Sequence, residues 1–265
     1  MSKNIVLVGA GNMGFAMLAG WLKASGGTSF HVVEPNEELR ERAAKEGAKT
    51  YANIDEIPDL EADLIFLAVK PQVMGEVVPP YSRFSTATFV SIAAGTTVAS
   101  LTSWLGDKTA IIRTMPNTPA AIGEGMMVSY ANPHTSKAAK EAADRLLSAS
   151  GETGWIEDEA LMDAVTAISG SGPAYVFHFI EVLAEAAEAL GLAPELSRKL
   201  ALQTVKGAGL LAQSSEDDPG TLRQKVTSPG GTTAAALNVF MGPLGELTKE
   251  ATKAANDRGV ELGKA

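Results

Sequence analysis

Val8-Gly9-Ala10-Gly11-Asn12-Met13-Gly14 is the stretch that decides the fold. The run before it, Asn4–Val8, is apolar and β-branched, and Met13–Ala24 after it has helical spacing. In a GxGxxG placed between a strand and a helix, the first glycine makes a tight turn, the second lets backbone approach a pyrophosphate, and the third lets helix pack closely on strand. The helix N-terminus then presents its unsatisfied N–H groups to the phosphates. Taken alone the pattern is only a glycine-rich turn. Here an acidic residue, Glu34, also lies 20 residues past Gly14, at the end of the strand-like run His31–Val33. A carboxylate at that distance is placed to accept from a ribose 2′-hydroxyl. The expectation is a dinucleotide site containing Gly9, Gly11, Asn12, Met13, Gly14 and Glu34. The carboxylate favours NADH and repels the 2′-phosphate of NADPH; Arg40 and Arg42 stand further on, inside the next helix. The plain alternative for Glu34 is a solvated strand end.

Outward from this motif the chain alternates. Asp63–Val69, Thr88–Ile92 and Ala110–Thr114 read as further strands, and Asn36–Glu46 as a helix with Asn36 at its N-cap and Gly47 past its end. Continuous apolar strands separated by helices predict a parallel sheet buried on both faces, an α/β architecture. After about Trp155 the strand signal stops. Helical spacing covers Glu159–Ile168, Pro173–Leu190, Pro194–Ala212, Pro219–Val226, Thr232–Phe240 and Pro243–Leu262. The predicted division is a domain over residues 1–157 and an all-helical one over 158–265. Pro173–Leu190 is apolar on most faces, so it must be covered, in part by a second subunit.

Composition narrows the chemistry. The 265 residues include no cysteine, which excludes disulfides, a thiolate nucleophile and a Cys-held metal. His31, His134 and His178 are scattered and form no metal-ligand pattern. The net charge of −9 argues against nucleic acid as a partner. The most apolar helix candidate, Pro173–Leu190, carries Glu181, Glu185 and Glu188, so no membrane span is expected. The first strand begins almost at Met1, which leaves no room for a targeting peptide and predicts a cytoplasmic protein.

Four further segments are unusual for their positions. Ala68-Val69-Lys70-Pro71 ends a buried strand with a lysine and a proline, at the sheet edge where ligands bind. Arg113-Thr114-Met115-Pro116-Asn117-Thr118-Pro119 ends another, its prolines stiffening a polar pair. Ser169-Gly170-Ser171-Gly172-Pro173-Ala174-Tyr175 opens the apolar helix. Thr227-Ser228-Pro229-Gly230-Gly231-Thr232-Thr233 opens another with small residues whose N–H groups form a nest suited to a carboxylate. Each alone also reads as ordinary punctuation: an elaborate cap, a helix entry, a solvated strand end.

Together these segments, from Gly9 to about Thr233, resemble pyrroline-5-carboxylate reductase. The resemblance implies a Rossmann-like doubly wound parallel sheet followed by a smaller all-α dimerisation domain, with the substrate between them. It implies NADPH or NADH as cofactor, its nicotinamide half near Ala68, Val69, Lys70 and Pro71, its adenosine half near Asn53, and Ala93 also in the cofactor site. The substrate carboxylate would lie on Ser228, Gly231, Thr232 and Thr233 of the partner subunit. Thr166 and Thr233 match residues near the ring, Thr233 the one that meets the ring nitrogen. The resemblance further implies a homodimer, five of which can form a decamer, and no metal. Glu34 departs from it, since many bacterial members carry small or basic residues there; it hints at NADH tolerance or preference. A cyclic imine is basic enough to be substantially protonated near neutrality, so hydride transfer needs no strong general acid, and the matched motifs contain neither His nor Cys. Positioning and electrostatic fit would carry catalysis. A β-hydroxyacid dehydrogenase of the 6-phosphogluconate type shares the plan, but needs a lysine on the helix after Gly-Ser-Gly; Pro173–Leu190 has none. A non-catalytic dinucleotide-binding oligomer has no use for the Ser228–Thr233 segment.

Overall fold

The computed structural model describes residues 4–24 and 27–263. Its strands are β1 Asn4–Val8, β2 Ser29–Val33, β3 Lys49–Tyr51, β4 Leu64–Leu67, β5 Thr88–Ser91, β6 Ala110–Met115, β7 Gly125–Ala131 and β8 Gly151–Ile156. They form one sheet in the order β3-β2-β1-β4-β5-β6-β7-β8. The helices are α1 Asn12–Ala24, α2 Glu37–Lys45, α3 Met74–Val77, α4 Val98–Leu105, α5 Lys137–Leu147, α6 Met162–Val165, α7 Gly172–Ala189, α8 Pro194–Ser214, α9 Pro219–Lys225, α10 Thr232–Phe240 and α11 Pro243–Leu262.

Residues up to Ser171, with those from Ala255 onward, make one compact unit; Gly172–Ala254 make the other. The end of β8 at Ile156 marks where the sheet stops, not where the first unit stops. In the first unit, successive strand residues feed opposite faces. Ile5, Leu7 and Phe66 pack with Met17 and Trp21 on one side; Val6, Val8, Ile65 and Leu67 pack with Met74, Tyr81 and Leu101 on the other. This is the two-sided burial that unbroken apolar runs predict. Trp21 is wholly buried and its indole N–H donates to Leu146 O at 2.8 Å. Helix α2 starts where Asn36 accepts from Leu39 N at 3.1 Å and stops before Gly47, whose φ of +103° suits glycine. Its acidic first turn and basic last turn oppose the helix dipole.

Three strands escape the sequence reading, and the sheet is not wholly parallel. β7 runs antiparallel to β6. The connection from Pro116 to Glu124 is shorter than the dozen or so residues a parallel crossover needs, and it reverses through Gly123 at φ +80°. β8 pairs parallel to β7 at the sheet edge and starts at Gly151, where a Cβ would lie 1.9 Å from Gly125 O. The expected single helix Glu159–Ile168 is instead a 3₁₀ turn over Glu159–Leu161, the short α6, and a π-helical turn over Thr166–Gly170.

In the second unit α7 packs against α8, yet no α7 residue is buried. Val176, Phe177, Phe179 and Val182 are all exposed within the single chain.

Candidate active site

The strand order turns about at β1 and β4, so the loops leaving these neighbours part and open a crevice at the strand ends. A cleft of about 630 Å³ lies there. Gly9, Gly11, Glu34, Asn53, Ala68, Val69 and Lys70 line it, so seven of the expected cofactor residues come together. Five do not line it. Asn12 is the exposed first residue of α1, Met13 packs on the core, and Gly14 is buried at the helix–strand contact. Pro71 begins a 3₁₀ turn, and Ala93 belongs to the core beyond β5.

Each loop glycine has a measurable reason. Gly9 has φ +93°, and a Cβ there would lie 2.8 Å from Ala68 O. A Cβ on Gly14 would lie 2.3 Å from Gly9 O. On Gly11 a Cβ would meet nothing within 4 Å, so the loop faces open space there. That cradle, in front of a helix N-terminus, fits a pyrophosphate.

Glu34 is only 7% exposed, and both its oxygens are in use. Oε2 accepts from Ala10 N at 2.7 Å and Oε1 from Asn36 N at 2.9 Å. The two arginines, distant in sequence, come to the same place. Arg40 Nη1 donates to Glu34 O at 2.9 Å, and Arg42 Nη2 to Ala10 O at 2.8 Å. Asn53 is fixed at the cleft wall: its Oδ1 caps the turn over Ile54–Glu56 by accepting from Asp55 N, and its Nδ2 donates to Glu56.

The sequence reading misses the wall made by Val73, Val77, Pro80 and Tyr81. Burial pushes the Tyr81 phenol well above its usual range. The clustered prolines Pro71, Pro79 and Pro80 are the available signal, since short turns leave no periodicity to detect.

Thr166 opens the π-helical turn. Its hydroxyl donates to Met162 O at 2.8 Å, and its carbonyl accepts from Ser171 N at 2.8 Å. Isolated π turns recur at functional sites. Asn117, from the proline-rich end of β6, ties this turn to the sheet: Nδ2 donates to Ser169 O at 3.0 Å while Oδ1 accepts from Met126 N at 2.9 Å. Gly170 comes so near β6 that a Cβ would lie 2.5 Å from the Met115 methyl. Arg113, in the same strand, pairs with Glu159 at 2.5 Å, and the same Glu159 oxygen accepts from Val98 N.

In the second unit, Gly231 is the N-cap of α10 and supplies no side-chain acceptor. Gly230 precedes it at φ +70°, and Gly231 N donates to Ser228 O at 3.0 Å. Ser228 is exposed and Thr233 half-buried. The first turn of α10 therefore presents uncapped N–H groups beside the hydroxyls of Thr232 and Thr233, an anion-binding arrangement.

Comparison with known proteins bears on both units. Residues 159–262 match the family model for pyrroline-5-carboxylate reductase dimerisation, and residues 4–95 match that for NADP oxidoreductase, coenzyme F420-dependent. The chain is 43% identical to a pyrroline-5-carboxylate reductase of Pseudomonas aeruginosa, over 97% of this chain and 96% of the relative. It is similar to the solved pyrroline-5-carboxylate reductase of Coxiella burnetii, with 35% identity, a TM-score of 0.94 and full coverage of both chains. It also resembles the Plasmodium falciparum pyrroline carboxylate reductase solved with NADP bound, with 29% identity and a TM-score of 0.85 over 98% of each chain.

Proposed function

The chain belongs to the pyrroline-5-carboxylate reductase family, and from that premise we infer which of its residues carry the reaction. It is an NAD(P)H-dependent oxidoreductase that reduces 1-pyrroline-5-carboxylate to proline. The bound nicotinamide supplies the hydride. Everything else is binding, orientation and charge. Gly9–Gly14 and the N-terminus of α1 take the pyrophosphate, Asn53 borders the adenosine half, and Ala68, Val69 and Lys70, with the turn that Pro71 begins, border the nicotinamide half. The Asn12, Met13 and Gly14 contribution is through the helix start, and Ala93 through the apolar floor beyond β5.

The start of α10 is proposed to hold the substrate carboxylate, with Ser228, Gly231 and Thr232 around it and the Thr233 hydroxyl at the ring nitrogen. The observation that carries this is the Gly231 cap: a helix start with no side-chain acceptor of its own, followed at once by two hydroxyl residues. As hydride arrives at the imine carbon, the iminium nitrogen becomes an amine nitrogen and gains a lone pair. A hydroxyl fixed beside it can follow that change by switching from acceptor to donor. Thr166 borders the ring by the same proposal.

The chain carries a dimerisation domain, so it works as an oligomer. The dimer's assembly into decamers and a cytoplasmic location are proposed on the family resemblance; among the described residues no helix is long and apolar enough to cross a membrane. Neither a β-hydroxyacid dehydrogenase nor a silent dinucleotide binder is favoured.

Steady-state reduction of 1-pyrroline-5-carboxylate, followed by loss of NADPH absorbance, tests the site. Thr233→Val should lower kcat and kcat/KM together, because the hydroxyl acts as charge changes. Gly231→Val should act chiefly on KM, since the carboxylate is held alike before and during transfer. Normal kinetics in both variants would move the substrate site away from α10.

A further inference from the structure

We propose that Glu34 and Arg42 are positioning residues that grip Ala10 from its two sides and hold the glycine loop ready for the pyrophosphate of either nicotinamide cofactor. The proposal rests on the reading of Gly9–Gly14 as the pyrophosphate loop.

Ala10 is the residue between the first two glycines, where backbone freedom is greatest. Its N–H is taken by the buried Glu34 carboxylate at 2.7 Å. Its carbonyl is taken by the Arg42 guanidinium at 2.8 Å. Hydrogen bonds to ionised groups are about twice as strong as neutral ones, and these two fix both peptide planes flanking Ala10. Each gripping side chain is itself held. The second Glu34 oxygen accepts from Asn36 N, and Arg40 fastens the strand end by donating to Glu34 O and Pro35 O. The Arg42 guanidinium lies 3.8 Å from the Phe15 ring centroid, on the helix the loop leads into.

Each Glu34 oxygen already accepts one backbone N–H, Oε2 from the loop and Oε1 from the next turn, so the side chain holds the loop whatever the ribose carries. Its loss should therefore release the loop. A loop that reaches its binding shape only part of the time weakens every pyrophosphate ligand by the same fraction, whatever the ribose carries. Because both side chains hold one residue, their contributions are coupled.

The test is equilibrium binding to the intact oligomer of NADH, NADPH, ADP-ribose and adenosine, for Glu34→Ala, Glu34→Gln, Arg42→Met and the Glu34→Ala/Arg42→Met double variant. Glu34→Ala and Arg42→Met are each expected to raise Kd for NADH, NADPH and ADP-ribose about tenfold. The NADH-to-NADPH ratio should stay within about twofold, and adenosine binding should not move. The double variant should fall short of the product of the singles. Glu34→Gln and Arg42→Met keep side-chain volume, so they carry the test if Glu34→Ala does not fold. Weakened NADH with unchanged or tighter NADPH would make Glu34 a ribose reader and overturn the proposal, as would unchanged Kd in all variants. If Gly11→Ala also leaves cofactor binding intact, the loop reading itself fails. If Gly11→Ala weakens binding while the Glu34 and Arg42 variants do not, only the grip fails.

Discussion

Gly11 and Gly14 occupy the same motif, yet alanine should break different things at each. At Gly14 the new Cβ would lie 2.3 Å from Gly9 O and 3.1 Å from the Ala68 methyl. Both obstacles belong to packed backbone or a short side chain, so α1 must lift off β1 by most of an ångström. Forcing an extra carbon into a packed contact costs about 1–3 kcal/mol, and this backbone clash belongs at the upper end. For a chain of this size each kcal/mol moves Tm by roughly 2–4 °C, so Gly14→Ala should lower Tm by about 6–12 °C. At Gly11 the new Cβ meets nothing within 4 Å, and stability should stay within about 1 kcal/mol of the parent. What that Cβ does occupy is the open space through which a phosphate reaches the backbone. Losing one charge-assisted hydrogen bond costs about 1.5–3 kcal/mol, or roughly tenfold to a hundredfold in Kd. Thermal melts without cofactor, paired with fluorescence titration of NADH and NADPH, separate the two effects. A Gly11→Ala protein that binds both cofactors like the parent would refute the pyrophosphate assignment. A Gly14→Ala protein with an unchanged melt would refute the packing argument.

Two further outcomes follow from the second unit and from the π turn. Phe177 is 57% exposed on α7 in the single chain, and if that face is the one covered in the dimer, Phe177→Glu should yield monomers by sedimentation at micromolar concentration; an intact dimer would place the interface elsewhere. Asn117→Ala removes two hydrogen bonds worth about 1 kcal/mol each, so Tm should fall modestly, and kcat for the imine should fall while Kd for NADPH holds. An Asn117→Ala enzyme with parental kcat would mean that the π turn does not serve the ring.

The parts of the fold that can be read from sequence are those where one periodicity runs undisturbed. Asn4–Val8 and Thr232–Phe240 are placed to the residue because apolar spacing and flanking glycines agree. β7 and β8 are invisible for a physical reason. Both begin with glycine, β8 has a second at Gly154, and β8 is a half-exposed edge strand without a continuous apolar face. β7 is set by the short reversal after β6, and β8 by the long-range passage of the Gly151 backbone against Gly125. The broken helix after Asp158 is similar. Helical spacing persists through Thr166–Gly170, but Asn117 and the Met115 contact come from segments some fifty residues earlier, and spacing carries no trace of them.

The site shows the same division more sharply at Glu34. Its distance from Gly14 and its place after β2 are properties of the chain, and the folded protein puts this acid on the cleft wall. They do not say what the acid touches, because that depends on where Ala10 N–H points and on two arginines of α2. Arg42 stands 32 residues from Ala10, and its approach depends on the tilt of α2 and on Phe15 beneath it. An arginine six or eight residues past the acid therefore looks remote from the cofactor in sequence, although the first turns of α2 return it to the loop. Cofactor preference is accordingly a poor thing to infer from the acid alone. The two backbone N–H dipoles on the Glu34 carboxylate, and two guanidinium groups within the same few residues, offset part of its repulsion of a 2′-phosphate.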